Sequence, residues 1–298
     1  MKTEDSTRAT GGKIPSETTA TRQKRLECIR EAAFNIRSNA LIQAEVQGQG
    51  YIGQALDIAD VLAVLYADQL ALRPDDPEWE GRDRCLLSIG HYALALYAAL
   101  VEAKVLPAEE LDTYASDDSR LPMSAMASYT PGVEISGGSL GHGLTIANGI
   151  AMGLKRKDNP AFVYNILSDG ELNEGSTWEA AAVAGHHELD NLIAIVDFND
   201  QQADGKSSGV LGMEPVDQKF ETFGWIARRV DGHDLAALLT ALEELQAGEA
   251  GKPRCLVVDT KLGKGVEFLE TREKLHFMRV APDEWAKAHQ QLKESYEA

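Results

Sequence analysis

Residues 162–201 constrain the fold of this chain more than any other stretch. An apolar, β-branched run, Phe162-Val163-Tyr164-Asn165-Ile166-Leu167, stops at Ser168-Asp169-Gly170. A helical stretch follows, and a second apolar run, Leu192-Ile193-Ala194-Ile195-Val196, stops at Asp197-Phe198-Asn199. Strand, turn, helix, strand is a βαβ unit, and its two strands are expected to run parallel. Asp169 and Asn199 then both fall just past the carboxyl ends of neighbouring strands, where open parallel sheets place ligands. A carboxylate oxygen and an amide oxygen there, without thiols or a paired imidazole, suit a hard cation. Mg²⁺ with positions left open for phosphate oxygens fits best. Asp-Gly after a strand is by itself only a turn signal; the weight rests on the longer pattern, in which Glu174-Gly175 precede the helix.

The remaining chain extends this unit. Residues 1–21 read as a disordered polar leader, with Gly11-Gly12 and no periodic apolar positions, and residues 22–298 as one α/β domain. Leu26, Ile29, Ala33, Ile36 and Ala40 recur at helical spacing from Arg22 to about Val46. Gly48, Gly50 and Gly53 mark a loop, and Asp57 is placed to cap a helix reaching about Leu70. Further strands are expected at Cys85-Leu86-Leu87-Ser88-Ile89, at residues 225–230 and at residues 255–260, with helices at residues 92–104, 144–156 and 216–223 and, led by Asp234, to Ala247. Residues 117–141 form a long segment of small and polar residues, and a loop of that length inside a domain is usually functional. Strands alternating with helices make a parallel β-sheet of five or so strands with helices on both faces.

The length of 298 residues allows a full core. A net charge of −18 argues against nucleic acid, because phosphate contacts need clustered Lys and Arg. It does not exclude a bound diphosphate, whose charge a metal ion and backbone N–H groups can carry. Cys28, Cys85 and Cys255 are isolated and odd in number, as expected of buried thiols in a reducing cytoplasm. No secretory signal is visible, and no apolar stretch reaches the ~18 residues of a membrane span. These features predict a soluble cytoplasmic protein. His186-His187 beside Glu188 point in different directions from a helix and read as its solvated end, not as a zinc site.

Gly137-Gly138-Ser139-Leu140-Gly141-His142-Gly143 is not a dinucleotide fingerprint, since its glycines have the wrong order and no strand feeds directly into it. Its bare backbone permits close approach of a flat ligand. Taken with residues 168–199, this segment resembles the transketolase family. There the acidic-Gly, Glu-Gly, helix, strand-Asn pattern is the thiamine-diphosphate motif, with Ser168 here replacing the usual first glycine. The Gly-rich loop contacts the thiamine ring, with His142 here replacing the usual Gln. Arg82-Asp83-Arg84-Cys85-Leu86-Leu87-Ser88-Ile89-Gly90-His91 and Lys261-Leu262-Gly263-Lys264-Gly265-Val266 resemble two more family segments, and His276 stands at the histidine that follows the second. The resemblance runs from about Arg22 to Leu292.

That resemblance implies the thiamine-diphosphate-binding fold, its diphosphate-binding domain only, with thiamine diphosphate and Mg²⁺ as cofactors. Asp169, the Asn199 side chain and the Gln201 carbonyl correspond to metal ligands. Gly138, Ser139, Leu140, Gly170, His91 and His276 correspond to cofactor neighbours. His91, His276 and Glu174 are the candidate catalytic residues, Glu174 as the intersubunit glutamate, whereas Lys264 reads as a loop residue. Two departures bear on the substrate. Tyr51, in Gln49-Gly50-Tyr51-Ile52-Gly53, and Ser124, in Met123-Ser124-Ala125, stand where sugar transketolases carry histidines that contact donor hydroxyls.

In the family a glutamate on a second, pyrimidine-binding domain protonates the aminopyrimidine. This chain stops where the diphosphate-binding half normally ends, which implies a separate pyrimidine-domain partner subunit in an α2β2 assembly. The expected activity is transfer of a two-carbon ketol unit from a ketose-type donor to an aldehyde-type acceptor. The alternatives are an acyl transferase or 2-oxo acid decarboxylating subunit with a non-sugar donor, and a non-catalytic cofactor-binding homologue.

Overall fold

The computed structural model describes residues 17–272 and 276–297. The leader expected at residues 1–21 lies, up to residue 16, outside the described residues. The main elements are α1 (Thr19–Gln47), β1 (Arg84–Leu87), α2 (Ala93–Glu102), α3 (Gly143–Arg156), β2 (Val163–Ser168), α4 (Gly175–His186), β3 (Leu192–Phe198), β4 (Ile226–Asp231), α5 (Leu235–Gln246), β5 (Arg254–Asp259) and α6 (Trp285–Glu297). Among the described residues the strands form one five-stranded sheet in the order β1-β2-β3-β5-β4, every pair parallel.

Alternation along the strands divides the core into two layers. Leu87, Ile166, Ile195 and Leu256 face one way and pack against α1, α2 and α5. Leu86, Leu167, Val196 and Val257 face the other way and pack against α3, α4 and the short helix Val216–Thr222. Both faces are therefore covered, which is why the strands read as continuous apolar runs instead of alternating ones. The register sets Ser168 beside Asp197, so the chain leaves β2 and β3 at one level, with Asp169 and Asn199 just beyond. A two-residue antiparallel pair, Gln49–Gly50 with Met278–Arg279, ties the backbone beside Tyr51 to the backbone beside His276.

Three expectations are corrected. First, α1 begins at Thr19, not Arg22, because the Thr18 hydroxyl caps it by accepting the Thr21 N–H at 3.2 Å. Residues 19–21 are thus helix and not leader. Second, Asp57 caps nothing. It ends the short helix Ile52–Asp57, fully buried, and its carboxylate accepts from Asn199. Third, Cys28 is exposed on the outer side of α1, while Cys85 and Cys255 are buried as expected. His186 and His187 are exposed at the end of α4. Among the described residues no helix is long and apolar enough to cross a membrane.

A buried ion pair joins α1 to the helix Ala59–Val64. Arg37 donates to both Asp60 oxygens at 2.9 and 2.5 Å and to the Leu56 carbonyl at 2.9 Å, and His233 Nδ1 lies 2.8 Å from Asp60. Burial alone raises the Asp60 carboxyl, but Arg37 and His233 outweigh it and hold the group down at about 2. Because this lies below the ~3.9 of an unfolded aspartate, the stabilisation is complete above about pH 4 and disappears as pH falls toward about 2. Asp60→Ala leaves the guanidinium buried without its partner, and urea unfolding at neutral pH is expected to show a loss of about 3–5 kcal/mol.

Candidate active site

A cleft of about 620 Å³ opens at the carboxyl ends of β1, β2 and β3, and Asp169, Gly170, Gln201, His91, His276, Tyr51, Ser124, Gly138, Ser139 and Leu140 line it. Asn199 and Glu174 do not line it. Asn199 is half-buried directly past β3, and Glu174 is exposed ahead of α4, where its side chain leaves no room for a Cβ at Gly141 of the glycine-rich segment.

The Asp169 N–H donates to the Asp197 carbonyl at 2.9 Å, continuing the β2–β3 ladder by one residue. Its carboxylate accepts from the Gly170 N–H at 2.8 Å and from the Ser207 hydroxyl at 2.6 Å. Burial, helped by the charges of Asp197 and Asp200, pushes this carboxyl up to about 7 against the two hydrogen bonds. Asn199 Nδ2 lies 3.0 Å from Asp57 Oδ2, 2.9 Å from Asp197 Oδ2 and 3.1 Å from the Tyr92 hydroxyl. The amide nitrogen is turned to these three oxygens because the Gln201 N–H needs an acceptor on the other side. Oδ1 therefore faces the other way, toward the Gln201 N–H at 3.1 Å. Burial raises both the Asp57 and the Asp197 carboxyls. Tyr92 donates to Asp197 at 2.7 Å, and Thr260 donates to its other oxygen.

On the opposite wall the glycine-rich segment lies against the end of β1. A Cβ at Gly137 would collide with the Leu87 carbonyl, one at Gly90 would collide with the Gly137 backbone, and Gly138 adopts φ +112°. Glycine at these positions is thus a steric requirement. Ser124 donates to the Gly137 carbonyl at 3.3 Å. The aromatic side of the cleft is a ring cluster. Tyr51 lies edge-on to His91, His276 and Phe277 at centroid distances of 4.7, 5.5 and 5.1 Å, and the two imidazoles are 5.6 Å apart. Gln54 Nε2 donates to the His276 carbonyl at 2.7 Å. Burial, with His276 nearby, lowers the His91 imidazole to about 4, and burial lowers His276 as well.

Asp169 and Gln201 line this end of the cleft and Asn199 Oδ1 is turned toward the Gln201 backbone, so the groups present there are oxygen-bearing, the kind a hard cation takes. The acidic charges now acting on Asp169 are those that a divalent cation would offset, and Gly137 and Gly138 leave bare backbone beside the cleft. The residues present therefore fit Mg²⁺ with a diphosphate. Sequence reasoning missed Asp57, Asp197, Tyr92 and Ser207. Asp197, an acid at the end of an apolar run, was the one local signal; Asp57 had been assigned to a cap, and nothing local marks Ser207.

The histidine result gives a direct check. Since the folded His91 value lies below the ~6.5 of an unfolded imidazole, the folded state is most stable above that pH and loses stability as pH falls toward about 4. In an NMR titration the His91 ring resonances are expected to stay at their neutral positions from pH 8 down to pH ~5.

The transketolase thiamine diphosphate binding domain family matches residues 29–297. An uncharacterized transketolase family protein of Sinorhizobium fredii is 63% identical over 258 residues, covering 87% of this chain and 92% of that protein. The 6-deoxy-6-sulfo-D-fructose transketolase subunit of a Clostridium species is 37% identical over 264 residues, covering 89% of this chain and 96% of that subunit. The solved transketolase of Campylobacter jejuni superposes with a TM-score of 0.82 at 32% identity over 90% of this chain, which spans 43% of that longer protein. With a family match over most of its length and the same fold as a solved member, this chain belongs to the transketolase family, as a thiamine diphosphate binding domain.

Proposed function

We propose that this chain is the diphosphate- and Mg²⁺-binding subunit of a two-chain, cytoplasmic transketolase-like transferase. It moves a two-carbon ketol unit from a ketose-type donor to an aldehyde-type acceptor and acts only with a separate pyrimidine-domain subunit, as an α2β2 assembly. The observation that carries the cofactor half of this reading is the orientation of Asn199, whose Oδ1 is directed away from two buried carboxylates beside the ligand-accepting loop. The subunit half is supported by near-complete coverage of a transketolase subunit against less than half of a full-length transketolase.

Bound thiamine diphosphate supplies the nucleophilic carbon and the electron sink that cleavage of a C–C bond beside a carbonyl needs. The chain's own work is to hold and to shield. Asp169, Asn199 and the Gln201 carbonyl hold the metal, and the backbone of residues 137–140 accommodates the ring system. His91 and His276, both held neutral, present ring nitrogens able to accept or donate a hydrogen bond at the reacting end. Glu174, exposed at the rim, is available to the partner chain.

Tyr51 and Ser124 line the cleft and offer hydroxyls where sugar transketolases carry imidazoles. This supports a second reading, a non-sugar donor in an acyl-transfer or 2-oxo acid decarboxylating enzyme; identifying the donor consumed by the reconstituted pair separates the two.

Calorimetry of the purified chain with thiamine diphosphate tests the binding. Binding is expected with Mg²⁺ and not with excess chelator, and Asp169→Ala is expected to weaken it by about 100-fold or more, since even outer-shell changes at metal sites cost 10–100-fold. Binding unaffected by both chelator and Asp169→Ala would sink the reading. Turnover is expected only after the partner subunit is added.

A further inference from the structure

We propose that Glu171 is a positioning residue that, together with Ser88, clamps the glycine-rich segment 137–143 in its ligand-receiving shape. The proposal rests on the cofactor reading above and concerns a residue that does not line the cleft.

Glu171 is fully buried, in the 3-10 turn Glu171–Asn173 between β2 and α4. Its Oε1 accepts the Gly141 N–H at 2.9 Å and the Ser88 hydroxyl proton. Ser88, directly after β1, receives two more N–H groups of the same segment: Gly138 donates to its carbonyl at 2.8 Å and Gly143 donates to its Oγ at 3.1 Å. Three backbone amides of one short loop are thus held by two side chains and one carbonyl. Among the described residues the Gly141 and Gly143 amides make these bonds and no others. Gly141 holds a left-handed φ of +80° and Gly138 one of +112°, and a Cβ at Gly143 would collide with Ser88.

Glu171 is anchored from its own side as well. Its N–H donates to Ser168 Oγ at 3.3 Å, and its carbonyl accepts from the Thr177 hydroxyl at 3.2 Å, at the first turn of α4. Ser176 donates to the Gly141 carbonyl at 2.9 Å, a second tie between α4 and the loop. Burying a carboxyl is costly unless its hydrogen bonds are made. Both donors that this carboxyl receives either belong to the glycine-rich segment or hold it, while Oε2 has no protein partner among the described residues. The geometry therefore directs Glu171 toward the loop alone. A loop of glycines has little conformational preference of its own, so its shape must be imposed from outside.

The test uses the full chain, with amide hydrogen exchange on the ligand-free protein and calorimetry with Mg²⁺ and thiamine diphosphate. In Glu171→Ala, exchange at Gly141 and Gly143 is expected to speed up by about tenfold, the worth of one lost hydrogen bond. The amides of β3 and β5 keep their protection, and cofactor binding weakens by about the same factor. Glu171→Gln, whose amide oxygen still accepts, is expected to stay within about threefold of wild type. Ser88→Ala, which removes the Gly143 partner and one of the two donors to Glu171, is expected to speed exchange at Gly143 by a similar factor and serves if Glu171→Ala does not fold. Binding by Glu171→Ala within about twofold of wild type overturns the proposal, as does acceleration spread equally over the sheet, the sign of a merely structural role. Failure of the wild-type chain to bind the cofactor would refute the functional reading instead, while the exchange of the loop amides still judges the clamp.

Discussion

The candidate site depends on how one amide is held. Asn199 sits with its NH₂ group against Asp57 and Asp197, and Asp197 in turn receives the Tyr92 and Thr260 hydroxyls. Two buried acids side by side are unfavourable unless donors surround them. Here the donors come from the turn that opens α2, from the residue after β5 and from Asn199 itself. With the Gln201 N–H donating to Oδ1 and the Asp57 and Asp197 oxygens accepting from Nδ2, the amide is held from both ends, and its oxygen is set toward the loop that follows β3. A side chain on a strand end acquires in this way a direction fixed from several parts of the chain.

That interaction also explains how the two sides of the cleft differ. The Asp169 side is acidic and hard, with oxygen atoms in front and acids behind. The opposite side is apolar and neutral, with the imidazoles of His91 and His276 kept uncharged by burial and interlocked with the Tyr51 ring. Between them lies backbone with almost no side chains. A ligand with a polyanionic end and a flat ring system meets a matching surface at each end, and among the described residues neither surface includes a lysine or arginine.

Much of the fold could be read from residue order. The five strands appear as short apolar runs because both sheet faces are covered, and Asp234 caps α5 by accepting from the Ala236 and Ala237 amides, as its position before an apolar periodic stretch implied. Asp169, Gly170, Gln201 and the glycine-rich segment were recognisable because their local spacing carries the pattern. Contacts made over long separations were not. Asp57 meets Asn199 across 142 positions and Tyr92 meets Asp197 across 105, and no periodicity encodes such pairs. Asp57 misled because an aspartate before a helical stretch is also a normal cap. Tyr51 and His276 meet through a pairing only two residues long, too short to read as strands.

The bare contact between Gly90 and Gly137 has a consequence for how such a cleft can diverge. With the main chain pressed together at that point, neither position tolerates even a methyl group, so the holding surface is frozen at the level of the peptide chain. Tyr51 and Ser124, by contrast, meet the cleft through their side chains. In the function proposed above, grip and choice would thus reside in chemically separate parts of one surface, the first in the peptide chain and the second in side chains.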